Sequence, residues 1–417
     1  MRTTTGLFPG RYCRSKTALV AAYAWLSCST AGQEITRFPA ATPTGVARAV
    51  RVDDSALAHT TMMFGWDARG AIKGDARAQA LQAMKNLDAV LTTEGSSLAQ
   101  VVKLHFYLTR DEDASAAEAV VAEMFARRPV AVSWVTTTLT DPAALVGVEA
   151  VAVARAADGG VRIGSSPRVP KPLAGAHVAV LPAGRRIYFS GQAERDANLR
   201  GATKKTMASL GKTLEWMKAG RADVVRVKAF IRPFSEHRAA AGEVAAFFAG
   251  MPAPPCVFVE WSNSTYPAEI EMIVAGRKEG AKNPDGVAFL TPPGLTASPR
   301  FSRIAVVDPG HPLIFISGLY GETAGSGNRE WSEIFRQLGD ILWETGSSMR
   351  HQVKGLYYST TSNSRKLHGE IRDVYFDPAR PPASSGMITR GTGRAGRAST
   401  IDMIAIPIPR RKPAARN

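Results

Sequence analysis

The chain has 417 residues, of which 45% are hydrophobic and 21% are charged. This is the composition of an ordinary globular protein and excludes a largely disordered chain. The length corresponds to two to four domains of roughly 100–200 residues each. The formal net charge of +16 favours acidic partners but carries no information about the fold. Because basic stretches interleaved with aromatic residues are missing, we do not expect nucleic acid as a partner.

The first 31 residues are typical of an export signal. Basic residues such as Arg11 precede an apolar run at 18–26, and the small residues Ser29 and Ala31 have the spacing for cleavage after Ala31. The run is too short to cross a bilayer as a stable helix, and no later run is long and apolar enough to do so. We therefore expect a signal peptide at 1–31 and export to the periplasm or the outside of the cell. An uncleaved N-terminal extension is the alternative.

Cysteine and histidine contents argue against disulfides and metal sites. Of Cys13, Cys28 and Cys256, only Cys256 follows the expected cleavage point, and one thiol forms no intramolecular bridge and no cysteine-based metal site. The seven histidines are scattered without metal-ligand spacing. We interpret them as exposed or hydrogen-bonded side chains and expect no metal and no cofactor.

An internal repeat determines the predicted architecture. Three segments share a turn of small residues followed by an alternating apolar run, which is typical of a half-buried strand. They are GSSLAQVVKLHFYLT at 95–109, AGRADVVRVKAFIR at 219–232 and GSSMRHQVKGLYYSTT at 346–361. The basic residues Lys103, Arg226 and Lys354 align at spacings of 123 and 128 residues. The repeat is therefore the size of a whole domain.

The flanks of the three segments repeat as well. Apolar residues at three- and four-residue steps predict a helix before each segment and another after it. The predicted helices cover 76–93, 203–218 and 331–345 before the segments, and 114–127, 235–249 and 365–375 after them. Two closing strands follow each second helix, and a hairpin precedes each first helix, clearest at 185–192 and 313–321. The order β-β-α-β-α-β-β predicts an α+β fold, a mixed sheet with both helices on one face.

Linkers rich in Gly, Pro and Ser separate the repeats, at 156–172 and 278–299. The sequence thus predicts the signal peptide at 1–31, three domains and a short basic tail. The domains are expected at 45–155, 172–277 and 298–408, and the tail at 409–417.

With these motifs the chain resembles the reactive intermediate deaminase (Rid, YjgF-like) family. The resemblance rests on SGQ at 190–192, SG at 317–318, the GSS and VVK strand entries, the proline turns and closing strands such as VEAVAV. It covers nearly everything after about residue 45. It implies chorismate-mutase-like domains that assemble as trimers with a ligand cleft between neighbours. Three joined copies would complete such a ring as an intramolecular pseudo-trimer, so we expect the chain to act as a monomer.

Family deaminases hydrolyse enamine or imine intermediates, and the resemblance implies which residues would do so here. A closing-strand carboxylate is present in every repeat as Glu149, Glu271 and Asp402; these are the candidate catalytic groups. The Ser-Gly pairs imply ligand contacts. They occur as Ser190-Gly191 and Ser317-Gly318, and alignment places Phe64 at the corresponding position of the first repeat.

The family arginine that binds the substrate carboxylate has no counterpart. Reading across the proline turns, its position is occupied by Val132, Pro255 and Ser384. None of these replaces the two parallel hydrogen bonds of a guanidinium. Arg128, Arg380 and Arg390 lie near the turns, but we interpret them as solvated loop residues.

Three functions remain open from the sequence. The first is a divergent Rid protein that binds an unidentified small molecule in clefts between domains, without ordinary deaminase activity. The second is an active hydrolase of the enamine/imine deaminase type. The third is an interaction or RNA-binding protein that uses its basic surface, since some family members have been linked to RNA cleavage.

Overall fold

The computed structural model describes residues 34–40, 44–157, 159–277, 282–325 and 327–409. The predicted signal peptide, Cys13, Cys28 and nearly all of the basic tail lie outside these residues. The described chain contains three successive stretches with the same order of elements, here called units 1, 2 and 3. No helix of the described residues is long and apolar enough to cross a membrane.

Unit 1 contains seven strands and two α-helices. In chain order they are β1 (Ile35–Pro39), β2 (Val46–Val52), β3 (Leu57–Thr60), β4 (Met63–Phe64), α1 (Ala76–Leu91), β5 (Val101–Leu108), α2 (Ala114–Phe125), β6 (Val130–Thr136) and β7 (Val146–Val153). Helix α1 begins where predicted, because the Asp75 side chain accepts a hydrogen bond from the Ala78 N–H at 2.9 Å.

Units 2 and 3 repeat this order without the short strand β4. Unit 2 contains β8 (Arg162–Gly164), β9 (Val178–Leu181), β10 (Arg186–Phe189), α3 (Leu199–Trp216), β11 (Val224–Ile231), α4 (His237–Phe247), β12 (Cys256–Glu260) and β13 (Ala268–Ala275). Unit 3 contains β14 (Val287–Leu290), β15 (Ile304–Val307), β16 (Leu313–Leu319), α5 (Asn328–Glu344), β17 (Gln352–Ser359), α6 (Ser362–Tyr375), β18 (Ala383–Ile388) and β19 (Ser399–Ala405).

The centre of each unit is a mixed sheet. In unit 1 the order is β6-β5-β7-β3, with β5 parallel to β6 and antiparallel to β7. Units 2 and 3 have the corresponding orders β12-β11-β13-β10 and β18-β17-β19-β16. Both helices of unit 1 contribute to one apolar cluster with their sheet, through residues such as Leu87 and Val121. This is the α+β layering that the sequence predicts.

The strands before the first helices depart from the predicted hairpins. β9 pairs with β3 of unit 1, β15 pairs with β10 of unit 2, and β2 pairs with β16 of unit 3. The two strands expected to form a hairpin therefore lie in the sheets of different units. Local sequence favoured a hairpin because the connecting turns are short, but the alternating strands find their partners across units. Every unit is hydrogen-bonded to both others through such a pair.

The turns that link these exchanged strands meet at one end of the assembly. Asp54 of unit 1 accepts hydrogen bonds from the Gly184 N–H of unit 2 at 2.8 Å and from the Gly310 N–H of unit 3 at 2.6 Å. It also accepts one from the buried Arg186 guanidinium at 2.8 Å. One carboxylate thus ties three turns together, which fixes the relative position of the units at this end.

Candidate functional site

A cavity of about 50 Å3 lies where the three units meet. Its lining comes from the middle strands β5, β11 and β17, from the closing strands β7, β13 and β19, and from β3 and β16. The lining contains seven charged residues and two histidines: Lys103, Arg226, Lys228, Lys354, Glu149, Glu271, Asp402, His59 and His105. Residues of two apolar clusters also line it, and each cluster draws on all three units. One includes Val102, Val225 and Val353, and the other includes Tyr107, Phe230 and Tyr358.

Alternation along the middle strands explains this layering. In β5, residues 103, 105 and 107 share one face, and β11 and β17 place their equivalents at the same level. Lys103, Arg226 and Lys354, which align in the sequence, therefore all line the cavity. Buried charges at such a point require partners, because an unpaired charge in a low-dielectric interior is costly.

Each candidate catalytic carboxylate is paired with a base from the following unit. Across the contact between units 1 and 2, here called the 1–2 seam, Glu149 Oε1 lies 2.8 Å from both Arg226 and Lys228. Across the 2–3 seam, Glu271 Oε2 lies 2.6 Å from Lys354 Nζ.

The third pair completes the cycle across the 3–1 seam, where Asp402 Oδ1 lies 2.9 Å from Lys103 Nζ. Asp402 Oδ2 also lies 3.0 Å from His105 Nδ1. The three carboxylates that the sequence picked out are therefore brought into one cavity, and each serves as the counterion of a neighbouring unit.

These pairs hold two of the carboxylates in the ionised form. Burial alone would raise the pKa of Glu149, but Arg226 and Lys228 outweigh it and lower the pKa to about 2. For Asp402, the opposing effect of burial is likewise overcome, and Lys103 together with His105 lowers the pKa well below its ordinary value. A group with such a pKa stays ionised near neutral pH, which removes it as a general acid and leaves it a weak base.

The two cavity histidines are neutral. Burial lowers the pKa of His59 to about 3 and that of His105 to about 4, with nearby cations adding to the effect. Neither ring nitrogen of His59 has a hydrogen-bond partner among the described residues, and His59 is only 2% exposed. The interpretation of every histidine as exposed or hydrogen-bonded is wrong for His59. Its apolar surroundings in the sequence gave no signal of the cavity.

The serines of the Ser-Gly pairs are buried and bond to backbone. Ser190 Oγ accepts a hydrogen bond from the Ser384 N–H at 2.7 Å, and Ser317 Oγ accepts one from the Val132 N–H at 2.8 Å. Both contacts cross a seam, the first between units 2 and 3 and the second between units 3 and 1. The hydroxyls thus position strands of neighbouring units.

In unit 1 the residue at this place is Thr61 and not Phe64. Thr61 follows β3 as Ser190 follows β10, and its hydroxyl donates to the Cys256 carbonyl of unit 2 at 2.5 Å. Phe64 lies three residues later, in β4, where it pairs with Gly147. The alignment of Phe64 was wrong because the unit-1 segment lacks a glycine after its hydroxyl residue. The run of threonines at 60–61 was the available signal.

The register of the strands also revises the arginine position. Val132 lies opposite Leu104 and Ser384 opposite Gly355, whereas the equivalent place in unit 2, opposite Val227, is taken by Cys256. Pro255 is one residue earlier. Burial raises the pKa of the Cys256 thiol to about 12, so this group is not a nucleophilic thiolate. No side chain at the three places carries a positive charge.

Two of the three arginines near the turns form ion pairs with acidic side chains. Arg380 lies 2.7 Å from Asp285 and Arg390 lies 2.7 Å from Glu260. Arg128 lies at the exposed turn before β6. In the described part of the chain, no group of three or more His, Cys, Asp or Glu residues has the arrangement of a metal site.

Sequence reasoning missed Glu269, which lies two residues before Glu271 at the 2–3 seam. An added Cβ on Gly191 would lie 2.1 Å from Glu269 Oε1, so the bare backbone of this glycine makes room for the carboxylate. Burial raises the pKa of Glu269 to about 7, an effect that Arg365 of unit 3 partly opposes. Glu269 is therefore the seam carboxylate able to exchange protons near neutral pH. Its alternation with Glu271 in AEIEMIVA was the available signal.

Together the fold and the seams define an α+β protein whose repeated units share strands around a charged cavity. The family model described as Endoribonuclease L-PSP matches residues 44–154 and 169–276, just over half of the chain. The chain therefore belongs to this family, and it is a Rid (YjgF-like) protein with at least two tandem copies of the family unit.

Solved structures of the family match part of this chain. A Rid-family protein of unknown function from Yersinia pestis is 31% identical over 27% of this chain and 88% of its own, with a TM-score of 0.24. A YjgF-family protein from Neisseria meningitidis is 19% identical over 30% of this chain and 97% of its own, with a TM-score of 0.23. No curated protein matches the chain.

Proposed function

We propose that this protein is a divergent Rid protein that binds a small molecule between its units, without ordinary enamine or imine deaminase activity. In this proposal residues 45–155, 172–277 and 298–408 are three Rid-like domains, and the chain acts as a monomeric pseudo-trimer. The observation that carries it is the pairing of Glu149, Glu271 and Asp402 with bases of the following unit.

The chemistry of deamination supports the loss of activity. Hydrolysis of an enamine or imine needs a cation for the substrate carboxylate and a group that takes a proton from the attacking water and gives one to the departing ammonia. Val132, Cys256 and Ser384 provide no cation, and the pKa values of Glu149 and Asp402 lie far below neutral. Two of the three seams therefore lack both a cation at the family arginine position and a carboxylate that can act as an acid near neutral pH.

An assay with freshly generated 2-aminoacrylate tests this proposal. We expect ammonia release at the uncatalysed rate, with an active single-domain family member as the positive control. Turnover by the wild-type chain that is abolished by Glu271→Gln would contradict the proposal. The glutamine keeps the size of the side chain, so a matched unfolding measurement separates loss of chemistry from loss of fold.

The pseudo-trimer is tested by mass in solution. Light scattering coupled to gel filtration should give the mass of one chain, 44.6 kDa before any processing. A stable assembly of three chains would contradict a ring completed within one chain. Support comes from the strand pairs β2·β16, β3·β9 and β10·β15, which already give each unit both neighbours.

A second candidate function is an active enamine/imine hydrolase confined to the 2–3 seam. Glu269 favours it, since its pKa of about 7 suits a general acid or base. The nearby Arg365 donates to the Gly386 carbonyl and lies close enough to lower that pKa. Wild-type turnover that Glu269→Gln abolishes, while Glu123→Gln on the exposed helix α2 preserves it, would establish this function in place of the first.

Export also remains part of the proposal. The basic, apolar and small residues within 1–31 support it. Cell fractionation and N-terminal sequencing of the mature protein are the measurements, and we expect a new N-terminus at Gly32. An intact Met1 on cytoplasmic protein would contradict export.

A further inference from the structure

The central cavity contains more positive than negative charge. Four of its side chains are basic and three are carboxylates: Lys103, Arg226, Lys228 and Lys354 against Glu149, Glu271 and Asp402. Its two histidines are neutral near pH 7, so they do not change this difference. The lining therefore has a formal excess of one positive charge when every lysine is protonated.

The excess charge is located at the 1–2 seam. Lys103 and Lys354 each have a carboxylate of their own, whereas Arg226 and Lys228 share Glu149. Lys228 is 1% exposed, and a buried cation without a full counterion is expensive. Glu149 Oε1 already accepts from both bases and from the Tyr107 hydroxyl.

Unused hydrogen-bond donors also lie at the 1–2 seam. Arg226 Nε and both ring nitrogens of His59 have no hydrogen-bond partner among the described residues. His59 lies close enough to Arg226 and Glu149 to interact with their charges. A neutral imidazole offers one N–H, and the guanidinium Nε–H offers another. Both side chains line the cavity next to the excess charge, and Glu149 Oε2 there is also without a partner among the described residues.

We propose that the central cavity is a binding site for one small inorganic anion, of the size of chloride or nitrate, held by Arg226, Lys228 and His59. A cavity of about 50 Å3 has room for such an ion or a few water molecules. The ion balances the excess positive charge of Arg226 and Lys228, and it accepts hydrogen bonds from the unused N–H groups. The charged side chains that line the cavity are here called the ionic layer. The ion thus completes this layer between the two apolar clusters. This site does not depend on any ligand in the seams.

The first test compares anions at constant ionic strength with the purified full chain. Chloride, bromide or nitrate should raise Tm in a saturable manner by about 2 °C or more relative to gluconate, which is too large for the cavity. Equal Tm values in chloride and gluconate overturn the proposal. They would mean that Lys228 is neutral and that the cavity holds only water.

A variant pair assigns the effect to the cavity. Lys228→Met removes the excess cation and should abolish the difference between chloride and gluconate. Lys212→Met, in the exposed part of helix α3, removes the same charge from the surface and should preserve it. A difference that persists unchanged in Lys228→Met overturns the proposal.

A crystal grown in bromide gives an answer that does not depend on the folding of any variant. An anomalous peak within hydrogen-bond distance of Arg226 and Lys228 supports the site. Bromide peaks at the protein surface alone overturn it.

Discussion

Glu149→Gln is the sharpest test of the ionic layer. In the wild type, the Glu149 carboxylate accepts from Tyr107 at 2.7 Å and lies 2.8 Å from Arg226 and Lys228. The amide of glutamine keeps the shape but leaves the buried Lys228 and the partly buried Arg226 without this counterion. Removal of one partner from a buried ion pair costs about 3–5 kcal/mol. The lowering of the Glu149 pKa from 4.5 to about 2 corresponds to about 3 kcal/mol on its own.

Urea unfolding followed by circular dichroism measures this loss. Glu123→Gln is the matched control, because Glu123 pairs with Arg77 in an exposed bridge with side chains 59% and 50% exposed. An exposed pair contributes about 0–1 kcal/mol. The reasoning is refuted if Glu149→Gln lowers the free energy of unfolding no more than Glu123→Gln does.

The double variant Glu149→Gln, Lys228→Met separates the pair from its surroundings. Lys228→Met removes one of the two cations that Glu149→Gln leaves without this counterion. The double variant should therefore be more stable than the sum of the two single-variant losses of unfolding free energy predicts, by about 1 kcal/mol or more. The pH dependence has a defined sign as well. A lowered carboxylate pKa contributes stability above pH 4.5 that is lost as the pH falls towards 2. Glu149→Gln should flatten that part of the curve.

Three further predictions concern other parts of the molecule. The pKa of His59 is lowered from 6.5 to about 3, so the contribution of neutral His59 to stability is present above pH 6.5 and is lost as the pH falls. His59→Asn should therefore flatten the fall of Tm between about pH 6.5 and 4. An unchanged slope would contradict the burial of His59. Gly191→Ala forces a Cβ against Glu269 and should lower Tm. Gly242→Ala in helix α4 places its Cβ against no neighbour and should stabilise the protein by about 0.5–1 kcal/mol. Equal effects of the two variants would refute the close contact between Gly191 and Glu269. Deletion of 298–409 removes β16 from β2 and β15 from β10 and so leaves one edge of each strand unpaired. Gel filtration should then show association or aggregation, and a well-behaved monomer would contradict the strand exchange.

The candidate site was predictable where a pattern repeats within the chain. Alignment of Lys103, Arg226 and Lys354 identified residues that do converge, since equal positions on equivalent strands face the same side. Alignment failed at Phe64, because Thr61 lacks the following glycine that marks the other two units. It also failed at Pro255, which the strand register places one residue before the equivalent position.

What the sequence determined by itself is the local order of elements. Periodicity and caps are properties of neighbouring residues, so the helix after Asp75 and the alternating middle strands could be predicted from short windows. Helix α6 begins at Ser362, three residues before its predicted start. The tertiary structure decided which strands pair and which charges meet. Strand exchange between units and the pairing of Glu149 with Lys228 join residues far apart in the chain, and their free energy depends on burial, which no local pattern contains.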